Sequence, residues 1–316
     1  MQTVCKAKGK VVNLVLMATL SLVGGGNVRD CFGQSTGQKT FKTPQAASDA
    51  LVQAAKDRNK ETALSILGAG GNEVLFSGDP DEDARRHQLF VDKYQQMHRF
   101  VTVGKHTDIV YIGAENWPLP IPLVNGKEGW YFDTEGAKRE ILFRRIGENE
   151  LSAISVCLAI VAAQNEYKGQ LHDGEKVNQF AQRFMSSDGK HDGLYWKAQG
   201  SELKSPLGPR LALAASQVGQ AQGAGEPKPY HGYIYRMLTA QGKSAPGGAK
   251  DYLAGGKLTQ GFAVVAYPAR FKVSGVTTLI VNQDGIVYQK DLGPDTAKIA
   301  SAIQAYDPDQ TWIPAN

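Results

Sequence analysis

The chain has 316 residues, of which 42% are hydrophobic and 21% are charged, and its formal net charge is +4. This length predicts two domains, and the composition excludes a disordered chain, which lacks the apolar side chains that offset chain entropy. The positive charge is concentrated near the N-terminus, so the remainder is almost neutral and offers no broad basic face for nucleic acid.

Residues 1–36 have the order of a secretory signal peptide followed by a polar leader. Three lysines within residues 6–10 precede an apolar run over residues 11–23, and three glycines follow it. This run is about 13 residues long, whereas a helix that crosses a bilayer needs about 20. We therefore expect a periplasmic or secreted protein with no transmembrane segment in the mature chain. An uncleaved membrane anchor is the alternative.

Residues 40–135 are predicted to form an α+β domain that begins with three helices. Thr43 and Pro44 are typical of a helix start, because the hydroxyl caps unpaired amides and proline fits the first turn. A second helix is predicted over Lys60–Leu67, and a third from Pro80 to about Arg99. The inner stripe of the third helix is predicted to be Leu89, Phe90, Tyr94 and Met97.

A small antiparallel sheet is predicted to complete this domain. The strand over residues 119–124 is predicted to lie at the edge, because the prolines at 118, 120 and 122 have no N–H donor. Asn125 and Gly126 are typical of a two-residue turn that leads into the next strand. The predicted strands are residues 101–103, 108–112, 119–124 and 128–133.

Residues 136–316 are predicted to form a second domain, in which a long helix packs on an antiparallel, pilin-like sheet. The helical pattern resumes at Thr134, and the main amphipathic helix is predicted over Glu148–Tyr167. Glu148 and Glu150 are interpreted as capping its start, and Cys157 as a buried, inert thiol. The inner face of this helix is predicted to be Leu151, Ile154, Leu158 and Val161.

The last third of the chain is predicted to be a meander of four antiparallel strands. Residues 216–229 are rich in Ser, Gln, Gly and Pro, which indicates an exposed loop before the sheet. Asp284 and Gly285 tolerate positive φ and predict the clearest hairpin. A final helix is predicted from Pro294 to about Ala305. The predicted strands are residues 232–238, 261–267, 277–281 and 286–289.

No motif supports a catalytic, cofactor or metal site. The chain has six histidines but neither H-E-x-x-H nor C-x-x-C, so zinc-site spacing is missing. Residues 117–122 form a stiff, aromatic-bearing segment that fits either a partner surface or a proline-protected strand edge. His191 lies next to Asp192, although adjacent loop residues rarely form a dyad. The candidate binding residues are Trp117, Pro118, Pro120, Trp130, His191, Trp196, Tyr230 and His231.

Six short motifs together resemble the domain of unknown function 2950 family, whose members are exported proteins of Gram-negative bacteria. The resemblance extends from about Phe41 to Trp312 and implies export to the periplasm, but it implies no reaction. The motifs are Arg144–Leu151, Ala163–Tyr167, Lys190–Trp196, Ser205–Pro209, Tyr230–Tyr233 and Val281–Gly285.

The C-terminal half also resembles the globular parts of type IV pilin-like proteins, in which a helix lies on an antiparallel sheet. The similar segments include Glu150–Tyr167 and the hairpin at Asp284 and Gly285. A pilin continues this helix into an apolar one, whereas the preceding residues 134–145 are charged here. Insertion into a pilus core by that route is therefore excluded.

These features predict a non-enzymatic binding or assembly module that needs no cofactor and acts on a periplasmic or envelope partner. One alternative is a small-ligand pocket in the N-terminal domain, lined by Trp117, Trp130, Tyr111 and His98. The other is a hydrolase that uses one of the C-terminal histidines, at position 191 or 231.

Overall fold

The computed structural model describes residues 35–76, 80–198, 204–209, 211 and 229–315. It confirms the α+β class, with helices and antiparallel sheets in both halves of the chain. The predicted signal and leader lie outside the described residues except for residues 35 and 36. The predicted loop over residues 216–229 also lies outside them, except for residue 229.

The described part of the chain contains six helices and fourteen strands. The helices are α1 (Pro44–Lys56), α2 (Lys60–Leu67), α3 (Gly71–Leu75), α4 (Pro80–Gln96), α5 (Thr134–Lys168) and α6 (Thr296–Ala302). The first five strands are β1 (His98–Thr102), β2 (Thr107–Ile112), β3 (Trp117–Pro118), β4 (Leu123–Gly126) and β5 (Gly129–Phe132). The remaining strands are β6 (Tyr233–Leu238), β7 (Ala240–Gln241), β8 (Lys250–Asp251), β9 (Leu253–Ala254), β10 (Lys257–Leu258), β11 (Ala263–Pro268), β12 (Thr277–Asn282), β13 (Tyr288–Asp291) and β14 (Ile313–Pro314).

The first two helices begin where the sequence predicts. The Thr43 hydroxyl accepts a hydrogen bond from the Ala46 amide at 3.1 Å, and Pro44 occupies the first helical position. Asn59 caps α2 in the same way, accepting from the Thr62 amide at 2.9 Å. Side-chain caps satisfy amides that the helix itself leaves unbonded, which fixes these starts locally.

The fourth helix differs from its prediction at its end and on its inner face. It ends at Gln96 rather than Arg99, because the chain enters β1 at once and pairs with β2. Val91 and Tyr94 are buried, whereas Leu89 lies on the exposed side. The short helix α3 is absent from the sequence prediction.

The N-terminal sheet has the order β1-β2-β4-β5, and β3 pairs with the end of β2. The predicted edge strand over residues 119–124 is wrong, because β4 begins at Leu123 and pairs with both β2 and β5. Pro118 ends β3, while Pro120 and Pro122 lie between the two short strands. The prolines therefore avoid the ladder positions that need an N–H donor.

The fifth helix is a continuous element of 35 residues. It begins at Thr134 rather than Glu148, and the Asp133 carboxylate caps it by accepting from the Gly136 amide at 3.1 Å. Ala137 belongs to the N-terminal cluster of buried residues, and the stretch from Ala153 onwards belongs to the C-terminal one. Because this helix enters both clusters, the domain boundary predicted at residues 135–136 stays a prediction.

Two of the four residues predicted for the inner face of α5 are exposed instead. Leu151 and Leu158 are 60% and 46% exposed, whereas Ala153 and Cys157 are completely buried. Small side chains allow the helix to pack close to the sheet. Residues 151–165 contain no charged side chain. Both sides of the helix are consequently apolar, and helical spacing does not identify the buried one.

The C-terminal sheet is antiparallel, in the order β14-β13-β12-β11-β6. Four of these strands form the predicted meander. Arg236 in β6 donates to the Ala300 carbonyl of α6 at 3.3 Å, whereas the neighbouring Met237 sulfur lies 3.7 Å from the Gln164 amide nitrogen of α5. Successive side chains of a strand point to opposite faces. The two helices therefore cover opposite faces of this sheet, which buries all of β11.

By length and composition, α5 is the one helix in the described part of the chain that could cross a membrane. Of its apolar window, 39% is buried inside the fold. The core helix of a water-soluble protein passes the same length and composition test. Cys157 and Ile160 of this helix are completely buried in the C-terminal cluster of buried residues.

Candidate binding groove

A groove runs along the exposed side of α5, beside the start of β6. It is shallow and widely open to solvent, with a volume of about 480 Å³. One wall, supplied by α5, consists of Glu148, Leu151, Ser152, Ser155, Val156 and Ala159. The opposite wall contains Leu211, Tyr230 and His231. We call this site the α5 groove.

A tight turn positions the two candidate residues of the second wall. The amide of Tyr230 donates to the Tyr233 carbonyl at 2.8 Å, and the reverse bond is 3.1 Å long. The two central residues, His231 and Gly232, have φ of 48° and 73°, which is the pattern of a type I′ turn. Positive φ is uncommon for residues other than glycine, although histidine adopts it more often than most. The turn holds the His231 ring 4.3 Å from the Tyr230 ring, at the rim of the groove.

The turn is fixed against α5 by the close approach of its glycine. A Cβ atom on Gly232 would lie 2.5 Å from the Asn149 amide nitrogen. Asn149 is buried and donates to the Ser274 carbonyl at 2.9 Å. Only glycine leaves room for this contact, so residue 232 sets the distance between the turn and the helix.

Glu150 braces a second loop against the same turn of α5. Its carboxylate accepts from the amides of Val276 and Thr277 at 2.9 and 3.0 Å. The sequence interpretation of Glu148 and Glu150 as caps of a helix start is therefore wrong, because α5 begins at Thr134. Glu150 instead satisfies two backbone donors where the chain enters β12.

Arginines and carboxylates from several elements lie near the Glu148 end of the α5 groove. The Glu148 carboxylate lies 3.1 Å from the guanidinium of Arg86 and 3.6 Å from that of Arg85. One turn earlier on α5, burial lowers the pKa of Arg145, and the guanidiniums of Arg86 and Arg270 lower it further, whereas the carboxylates of Asp83 and Glu73 raise it. Charges of both signs therefore surround Arg145.

His191 belongs to a separate cluster near the C-terminal end of α5. Its ring Nδ1 lies 3.1 Å from one carboxylate oxygen of Asp173, and its backbone amide donates to the other at 2.7 Å. The Tyr167 hydroxyl donates to the His191 carbonyl at 2.6 Å. The ring meets Trp196 edge-on, with the two ring centroids 4.7 Å apart. Asp192, its sequence neighbour, accepts instead from the Ser187 amide.

The family described as protein of unknown function (DUF2950) matches residues 38–314. The chain belongs to the DUF2950 family. This confirms the resemblance predicted from the six motifs, whereas the pilin-like resemblance is not confirmed. The searches of curated proteins and of solved structures both gave no match.

The candidate residues of this DUF2950 protein fall in three places. His191 and Trp196 meet in one cluster, and Tyr230 and His231 meet in the α5 groove. The remaining four lie in the N-terminal sheet region. The side chains selected from the sequence therefore do not converge on a common cleft.

The N-terminal candidates have structural partners of their own. Trp117 is half exposed, and the Pro118 carbonyl accepts from the Arg144 guanidinium at 2.6 Å. Trp130 exchanges two backbone hydrogen bonds of 2.8 Å with Phe41. Pro120 follows β3 in a partly buried connection. Trp117 is thus the candidate here that presents the largest exposed ring.

The α5 wall of the groove is the part that the sequence interpretation missed. The sequence interpretation assigns Leu151 to the core and gives Ser155 and Ala159 no role. The available signal is the uncharged stretch over residues 151–165, which is longer than one buried face requires.

Among the described residues, no three His, Cys, Asp or Glu side chains lie together in a way that could hold a metal ion.

Proposed function

We propose that this DUF2950 protein is an exported, non-enzymatic binding protein whose binding site is the α5 groove. The observation that carries the proposal is the exposed apolar wall around Leu151, opposite the rim formed by Tyr230 and His231. Apolar grooves with a few polar groups at the rim are typical of binding sites. The signal-like order of residues 1–36 supports export.

The test compares two leucines of the same helix. Leu151 lines the groove and Leu158, also exposed, lies outside its lining. Nile red, a neutral dye that fluoresces in apolar surroundings, is titrated into the wild type, Leu151→Glu and Leu158→Glu. We expect Leu151→Glu to weaken dye binding about tenfold, because a charge replaces apolar contact area, and Leu158→Glu to leave it unchanged. Equal effects of the two variants contradict the proposed site.

Export is tested by cell fractionation. A tagged full-length chain is expected in the periplasmic or extracellular fraction, while the same chain without residues 1–36 is expected to remain in the cytoplasm. Identical fractionation of the two chains contradicts export through this segment.

Acid–base chemistry at His191 is a second candidate, favoured by its bond to Asp173. A carboxylate on Nδ1 orients an imidazole so that Nε2 faces a substrate or water, as in hydrolases. A panel of chromogenic esters tests this reading: turnover that is lost in both His191→Ala and Asp173→Asn supports it. Turnover that is unchanged in both variants, or missing from the wild type, excludes it for these substrates.

A further inference from the structure

We propose that His231 is the recognition residue of the α5 groove, and that the groove takes a neutral, planar apolar molecule with one hydrogen-bonding group. This inference rests on the proposed function and names its ligand class. Three observations carry it: the chemistry of the two walls, the charge of the lining, and the backbone conformation of His231.

The two walls of the groove present different kinds of apolar surface. The α5 wall contributes the aliphatic side chains of Leu151, Val156 and Ala159. The opposite wall contributes the rings of Tyr230 and His231, whose centroids lie 4.3 Å apart. Aliphatic side chains pack on the faces of a flat ring system, and aromatic rings meet it edge-on or offset. A planar apolar molecule can therefore contact both walls of this shallow groove at once.

The charge of the lining favours a neutral ligand. Among the described residues that line the groove, Glu148 carries the one carboxylate, and none is a lysine or an arginine. Arg85 and Arg86 of α4 already contact this carboxylate. A charged ligand would lose hydration here without gaining an unmatched partner of opposite sign, whereas a neutral molecule does not carry that cost.

His231 occupies a backbone position that does not itself require an imidazole. It has φ of 48° at the first central position of the turn that Gly232 completes, where asparagine, aspartate and glycine are the preferred residues. A residue with positive φ at a binding surface points to a functional role for its side chain. An imidazole has two ring nitrogens, so one can bond a ligand while the other keeps a contact within the protein.

The turn holds this ring in place before any ligand binds. Tyr230 and Tyr233 exchange two backbone hydrogen bonds of 2.8 and 3.1 Å, and Gly232 lies against the Asn149 side chain. A polar group that is held in this way loses little conformational entropy on binding. One hydrogen bond from it then raises affinity about fivefold.

The experiment measures displacement of Nile red from the purified full chain at pH 7 by three ligands that share one ring system. These are 2-naphthol, which has one hydroxyl group, naphthalene, which has none, and the anion 2-naphthoate, each below its solubility limit. We expect 2-naphthol to displace the dye at a concentration about fivefold lower than naphthalene, and 2-naphthoate to be the weakest.

His231→Gly separates the hydrogen bond from the apolar contact. It removes the imidazole and leaves a residue that adopts positive φ freely, so we expect 2-naphthol and naphthalene to bind it equally. Lys272→Gly is the matched control, because Lys272 has φ of 57° and lies outside the groove lining. It is expected to keep the fivefold preference. Urea unfolding checks that both variants are folded, and His231→Asn replaces His231→Gly if the latter is not.

Four results would overturn the inference. These are no displacement by 2-naphthol, equal affinity of the wild type for 2-naphthol and naphthalene, an unchanged preference in His231→Gly, and tightest binding of 2-naphthoate. If Nile red binding still depends on Leu151 in these cases, the recognition role and the ligand class fail while the proposed binding function stands. If the dye never depends on Leu151, both fail.

Discussion

Replacement of Gly232 by alanine tests how the turn at the groove is held against α5. The residue has φ of 73°, and a new Cβ atom would lie 2.5 Å from the Asn149 amide nitrogen. An L-residue at this φ costs about 1–2 kcal/mol. Displacement of Asn149 from its 2.9 Å bond to the Ser274 carbonyl costs about 1–3 kcal/mol. We expect the free energy of unfolding to fall by about 2–5 kcal/mol in total.

The assay is urea unfolding followed by tryptophan fluorescence, with Gly248→Ala as the control. Gly248 has φ of 77°, but a Cβ atom there meets nothing within 4 Å. This control therefore isolates the cost of positive φ, about 1–2 kcal/mol. The reasoning is refuted if the two variants lose the same free energy of unfolding, because the contact with Asn149 would then contribute nothing.

Three further predictions concern buried groups. Burial raises the pKa of Cys157 to about 12, so with Cys5 and Cys31 replaced by serine we expect no reaction with Ellman's reagent at pH 8 until urea is added. Burial raises the pKa of Tyr252 to about 12, above its unfolded value near 10. Its contribution to stability should be complete below pH 10 and lost between pH 10 and 12, and in Tyr252→Phe this pH-dependent part of the free energy of unfolding should be missing. Glu150→Ala should lower the free energy of unfolding by about 1–3 kcal/mol in urea, because two partly buried amides lose their acceptor, whereas Glu150→Gln should cost less.

Local signals in the sequence predict the elements whose cause is local. The Thr43 cap and Pro44 place the start of α1, and the turn residues Asp284 and Gly285 place the hairpin between β12 and β13. Each of these signals acts through a hydrogen bond or a φ angle within a few residues. Tertiary packing has little influence on them, so the structure agrees with them.

Partners that are distant in sequence decide the features that the sequence does not reveal. The carboxylate that orients His191 comes from Asp173, 18 residues away, rather than from its neighbour Asp192. The prolines near Trp117 indicate an unpaired edge, yet Pro118 ends β3 and the other two lie between β3 and β4, which both pair with β2. Neither arrangement produces a hydrophobic periodicity that could be recognised in the sequence.

The turn of α5 at residues 148–150 shows why the binding role and the structural role of this helix can be separated experimentally. Asn149 and Glu150 point to the loops that hold the C-terminal sheet, through bonds to the Ser274 carbonyl and the Val276 amide. Glu148 points instead to the arginines beside the groove. Substitutions at 149 and 150 should therefore act mainly on unfolding, whereas substitutions on the Glu148 side should act mainly on ligand affinity. A groove variant that lost affinity only in proportion to its lost stability would show that the exposed side of α5 also supports the fold.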